Sequence, residues 1–113
     1  MRRGDLVTIA VGGDYGKPRP ALVVQADAFS ALSSVTVLRL TSELHDWPMF
    51  RVTVQPSRAN GLRKPSQVMI DRAIALPGER IGPVFGRLDD TAMLAVSRAL
   101  VTFLGLGGIG IDQ

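Results

Sequence analysis

The residue best suited to chemistry is Arg19, held between Pro18 and Pro20 at the end of a glycine-containing stretch, Gly16-Lys17-Pro18-Arg19-Pro20. Proline fixes the backbone angle on its own residue, so the flanking pair limits where the guanidinium can point. A guanidinium carries a planar fork of donors that matches phosphate oxygens. Contact with a phosphodiester is one role for such a residue; covering a barrel end or pairing with a carboxylate is the other. Thr41 and Ser42 precede Glu43 where an apolar run ends, and strand ends and loops often carry sites. Either hydroxyl can bond a phosphate oxygen or cap its own turn. His45 is the sole histidine, an acid–base group near neutral pH, and Trp47 offers a face on which a nucleobase can stack. The plain alternatives are an exposed loop imidazole and a core or interface indole. Asp71 follows Met69 and Ile70 and precedes Arg72, as a base, an anchor or an ion-pair partner. Arg58, Arg63 and Lys64 stand in a polar stretch that reads as a solvated surface or as a groove following a nucleic-acid backbone.

Several chemistries are excluded. With no cysteine there is no disulfide framework, zinc–thiolate site or thiol nucleophile. With one histidine, no metal-ligand cluster is visible, and no cofactor motif is present: Walker, GxSxG and HExxH patterns are all missing. Gly105-Leu106-Gly107-Gly108-Ile109-Gly110 follows a helix pattern rather than a strand, which removes a dinucleotide reading. The net charge is +3 and the isoelectric point about 10.2, which suits an anionic partner, nucleic acid or acidic protein, as well as simple solubility. The N-terminus has no apolar run of signal-peptide length, and residues 99–109 are too short and glycine-rich to span a bilayer, so neither export nor membrane insertion is expected. A chain without cysteine fits the cytoplasm.

The elements that must position these residues are short. A chain of 113 residues predicts one domain. Strands are expected over residues 5–11, 21–25, 35–40, 49–54 and 66–71, the last extending towards 76, with a short edge segment over 81–85 where Pro83 is tolerated. Residues 12–20 and 55–65 read as loops, 28–32 as a helical turn, and Pro77-Gly78 as a turn. Asp89 or Asp90 can cap a final helix whose Met93, Val96, Leu100, Phe103 and Leu104 recur on one face, with Gly105 as its stop. Strands followed by one helix predict a mainly β, α+β fold: a small antiparallel sheet or barrel with the helix packed on it. Its expected bounds are about 3–86 for the barrel, 89–104 for the helix and 105–113 for a flexible tail.

In order, the chain reads Arg3-Gly4-Asp5-Leu6-Val7, then Lys17-Pro18-Arg19-Pro20-Ala21-Leu22-Val23-Val24, then Leu40-Thr41-Ser42, then Gly61-Leu62-Arg63-Lys64-Pro65-Ser66-Gln67-Val68-Met69-Ile70-Asp71. Ile81-Gly82, Gly86-Arg87-Leu88-Asp89 and Phe103-Leu104-Gly105-Leu106 complete the series, over roughly residues 2 to 106. This resembles the MazF/PemK (Kid) family of toxins from bacterial toxin–antitoxin systems. The resemblance implies an SH3-like barrel of the CcdB/PemK type with a C-terminal helix, and a homodimer. It implies metal-independent cutting of single-stranded RNA at specific sequences, with 2′,3′-cyclic phosphate and 5′-hydroxyl ends, so that translation and growth stop. It also implies an antitoxin whose acidic, partly disordered tail wraps the toxin. By position, Arg19 matches the arginine acting on the scissile phosphate, Thr41 the threonine that positions it, and Asp71 an acid–base or substrate-contact aspartate. Lys17, Ser42, His45, Trp47, Arg63, Lys64 and Ser66 are the candidate substrate contacts. Two departures are plain: Arg72 stands where many members have glutamine, and Met69 where some carry an arginine. The alternative within the same fold is a CcdB-like poison of DNA gyrase. That family binds through a terminal Trp-Gly-Ile, whereas Trp47 is the only tryptophan of this chain.

Overall fold

The structure is a computed structural model that describes residues 1–11 and 17–108. Six strands, β1 (Asp5–Ile9), β2 (Arg19–Val23), β3 (Ser34–Thr41), β4 (Arg51–Val54), β5 (Ser66–Pro77) and β6 (Ile81–Arg87), precede one helix, α1 (Asp90–Phe103). They form one antiparallel sheet in the order β4-β5-β3-β2-β1-β6. The sheet curls towards closure: beyond β4, Ala59 O accepts the Arg87 N–H of β6 at 2.9 Å. That approach needs Gly86, because a Cβ there would lie 2.0 Å from Asn60 O.

Alternation along the strands divides the apolar residues between two cores. Leu6, Leu22, Leu38, Leu40, Val68 and Ile70 pack with Met93 and Val96 of the helix. Val7, Ile9, Ala21, Val23, Val37 and Leu76 form the second core on the opposite side of the sheet. Each fully buried leucine or valine contributes roughly 1.5–3 kcal/mol. β5 serves both cores because of a bulge: from Leu38 to Leu40 on β3, the paired residue moves from Ala73 to Val68 on β5. The added residues are odd in number, so the strand changes face across them. Val68 and Ile70 therefore face one core, and Ile74 and Leu76 the other, although all four have the same parity.

The helix begins and ends as its sequence predicts. Asp89 caps it by accepting the Ala92 N–H at 2.7 Å. At the other end Gly105 adopts φ +71°, with Gly105 N–H donating to Thr102 O and Leu106 N–H to Val101 O at 3.2 and 2.9 Å. This is a Schellman stop. The apolar face is shorter than expected. Met93 and Val96 are buried and Leu100 packs beside them, whereas Phe103 and Leu104 are 49% and 56% exposed. The last turn instead meets the segment before β4, where Phe103 shares an apolar hollow with Trp47, Met49 and Phe50.

Other boundaries differ for identifiable reasons. β2 starts at Arg19, within the expected loop, because Arg19 and Pro20 pair with Ile9 and Thr8. β4 starts at Arg51 rather than residue 49, since the chain turns there: Phe50 and Arg51 N–H groups both donate to Trp47 O. β5 runs unbroken to Pro77, and the expected turn is a 3-10 turn over Gly78–Arg80. A second 3-10 turn, Asp27–Phe29, falls where a helical turn is read. Most of the loop expected over 12–20 and the end of the tail, 109–113, lie outside the described residues. Among the described residues no helix is long and apolar enough to cross a membrane.

Candidate nucleic-acid interface

One face of the sheet carries the second core at one end and polar residues at the other. Ala21 pairs with Arg39, and two residues further along on the same face stand Arg19 on β2 and Thr41 on β3. Thr41 in turn pairs with Gln67 on β5. A groove of about 350 Å³ opens over this end, lined by Arg19, Thr41, Ser42, Arg63, Lys64 and Ser66, together with Arg39 and Met69. None of its described lining residues carries a carboxylate or an imidazole. It therefore presents guanidinium, ammonium and hydroxyl groups to whatever enters.

The rim of the groove is held by a side chain away from it. Asn60 is buried; its Oδ1 accepts the Ser57 and Leu62 N–H groups at 3.0 and 2.9 Å, and its amide donates to Gln55 O at 2.9 Å. Gly61 follows at φ +68°, and a Cβ there would lie 2.6 Å from Phe85 O. This fixed turn carries Leu62, Arg63 and Lys64 to the groove, where both cations are exposed. Ser66 Oγ donates to Lys64 O at 3.0 Å, so that hydroxyl shapes the loop. Thr41 Oγ1 accepts the Glu43 N–H at 3.0 Å. Its own hydrogen is left to donate outward, so capping the turn and meeting an anion are compatible roles. Lys17 is exposed just before Arg19.

His45, Trp47 and Asp71 are placed elsewhere, in a lateral stack over β4 and β5. The His45 ring lies flat on Trp47, with centroids 4.0 Å apart and planes 3° from parallel, and its Nε2 is 3.4 Å from Glu43 Oε1. Gln67 clamps the His45 backbone, accepting its N–H at 3.1 Å and donating to its carbonyl at 2.8 Å. The Arg51 guanidinium stands 5.1 Å from the Trp47 ring centre, and its Nε is 3.5 Å from Asp71 Oδ1. Asp71 Oδ2 is 3.6 Å from Arg72 Nε. None of the three residues lines the groove. Asp71 is enclosed by two arginines, one of them, Arg51, buried.

Arg39 is the groove residue that motif reading passes over. Its signal is a charge inside the apolar run Val35-Thr36-Val37-Leu38-Arg39-Leu40, two residues before Thr41 and so on its face.

Known proteins share this sequence pattern and fold. A family model described as PemK-like, MazF-like toxin of type II toxin–antitoxin system matches residues 2–104. A probable endoribonuclease MazF of Mycolicibacterium smegmatis is 44% identical over 109 residues, spanning 96% of this chain and 100% of that protein. Among solved structures, an endoribonuclease in complex with its cognate antitoxin from a mycobacterial species superposes with a TM-score of 0.81 at 26% identity, covering 94% of this chain and 96% of that one. The Mycobacterium tuberculosis toxin MazF-mt6 shares the fold, with a TM-score of 0.76 at 24% identity over 88% of this chain and 95% of that one. A curled six-stranded antiparallel sheet with a C-terminal helix and a match over nearly its whole length place this chain in the family of PemK-like, MazF-like toxins of type II toxin–antitoxin systems.

Proposed function

We propose that this toxin is an endoribonuclease that cuts single-stranded RNA in the groove between β2, β3 and the turn before β5. The observation that carries the reading is the meeting of Arg19, Thr41, Ser42, Arg63 and Lys64 in one hollow without a described acid. Cleavage that leaves a cyclic phosphate requires the 2′-hydroxyl to give up its proton to solvent as its oxygen attacks phosphorus, the P–O5′ bond to break with O5′ taking a proton from solvent, and the added negative charge on the phosphoryl oxygens to be offset. Arg19 supplies that offset, and the Thr41 hydroxyl donates to a non-bridging oxygen. Arg63 and Lys64 hold flanking phosphates. Guanidinium and ammonium groups repel a cation, and hydroxyls without a carboxylate beside them hold one only weakly, so the groove's described side chains favour a metal-independent reaction. Asp71, set against Arg51 and Arg72, serves as an anchor rather than a proton carrier. The MazF relationship does not favour gyrase poisoning.

The same reading gives this toxin a cytoplasmic site of action and an acidic, partly disordered antitoxin, as its basic isoelectric point suits and as a mycobacterial neighbour has a cognate antitoxin. It also gives a homodimer, consistent with the exposed Met49, Phe103, Leu104 and Leu106. Sedimentation as a monomer at working concentration would count against the dimer.

The test is incubation of the protein with a long single-stranded RNA in EDTA, beside Arg19→Ala, with the fragment ends sequenced. Discrete cuts that vanish in the variant are expected. Activity that EDTA abolishes and magnesium restores would overturn the metal-independent mechanism.

A further inference from the structure

Arg39 is not accounted for by the roles assigned above. It occupies the floor of the groove, on the face it shares with Arg19 and Thr41, two residues along each strand from them. Its Nε is buried and makes no hydrogen bond, and no described carboxylate pairs with it. The bulge of β5 falls opposite it, and that strand offers the groove only the Ser66 hydroxyl and the Met69 thioether, neither of them an anion. A partly buried guanidinium with no anion beside it is costly, and in a fold of this size such a charge is normally paired. Its counterpart in the molecule, Arg51, has both an aromatic face and Asp71.

We propose that Arg39 is a second phosphate-binding arginine of this groove, holding a backbone phosphate of the single strand beside the one that Arg19 meets. The inference rests on the RNA-cutting reading for its substrate class but not for its chemistry, because a phosphate on a strand that is never cut would be held in the same way. A guanidinium at the floor, rather than the rim, engages the strand only after it has entered. Arg39 therefore sets how deeply the backbone sits, while Arg63 and Lys64 attract it from outside.

The experiment measures binding of a non-cleavable 2′-O-methyl RNA oligonucleotide by fluorescence anisotropy across a salt series, and cutting of unmodified RNA, for the native protein, Arg39→Lys and Arg39→Met. Arg39→Met keeps the stem and removes the charge. Its affinity should fall about tenfold, as expected for loss of a charge-assisted hydrogen bond. The slope of log affinity against log salt should fall by about 0.7, one phosphate's worth of counterions on a single strand. Arg39→Lys should keep that slope, which a purely structural role would not predict. Native-like affinity and slope in Arg39→Met would overturn the inference while leaving RNA cutting intact. A native protein that binds the oligonucleotide with an Arg39-dependent slope yet cuts no RNA would sustain the inference and sink the nuclease reading. Neither binding nor cutting by the native protein would sink both.

Discussion

The groove and the aromatic stack lie on the same face of one sheet and meet at β5, where Met69 belongs to the first and Gln67 and Asp71 to the second. Both hold arginine beside residues of catalytic type. In the stack, the charges answer one another: Arg51 has Asp71 and the Trp47 ring, Asp71 also has Arg72, and His45 lies against Trp47 with Glu43 near its Nε2. In the groove, Arg39, Arg63 and Lys64 have no described acid within ion-pair distance. What separates Arg39, Arg63 and Lys64 from Arg51 is therefore not the kind of residue but whether a described acid meets its charge within the fold.

That contrast can be broken by substitution. The largest effect is expected from Arg19→Ala, which should lower the cleavage rate by about 100- to 1,000-fold, as loss of one preorganised charge-stabilising donor does elsewhere. Single-turnover kinetics on a defined RNA would measure it, and a tenfold or smaller change would move the chemistry out of the groove. Next comes Asp71→Ala, which leaves the buried Arg51 charge with the aromatic faces alone. Stability should fall by about 3 kcal/mol in urea denaturation, with cutting per folded molecule preserved. An intact fold with abolished cutting would return Asp71 to the chemistry. Thr41→Val should slow cleavage about tenfold and cost about 1 kcal/mol through the lost Glu43 N–H contact, whereas Thr41→Ser should restore both. His45→Ala should be the mildest, with cleavage unchanged and stability lowered by about 1 kcal/mol for the lost stack on Trp47. A steep loss of cutting would make the histidine a substrate contact after all.

Much of this was legible in the residues. The cap at Asp89, the stop at Gly105 and the strands around Val23, Val37 and Val68 follow from local rules, whereas Arg19 and Thr41 are joined in one site only by the family resemblance. Other features depend on contacts across the sheet. The partner of Asp71 is Arg51, twenty positions earlier, and the two approach only because β4 pairs with β5 so that Arg51 faces Met69. His45 and Trp47 miss the groove because the chain reverses at Trp47 before β4 begins. Arg39 is hidden by its setting: a lone charge in an alternating strand reads as an outward-facing residue until the curl of the sheet turns that face into a hollow. β5 is the clearest case. Val68, Ile70, Ile74 and Leu76 share one parity and suggest one buried face, and only the bulge, which local propensity does not encode, sends them to opposite sides.

That same bulged strand bears on how the molecule is lost as well as how it is built. A segment bonded to β3 along most of its length and to β4 at its start, and rooted in both cores, cannot detach without dissolving each of them. The free energy needed to expose its amides thus converges on that of unfolding the whole chain. A protease finds no partly open form along this strand to attack, and the lifetime of the toxin there is governed by how often the entire barrel comes apart.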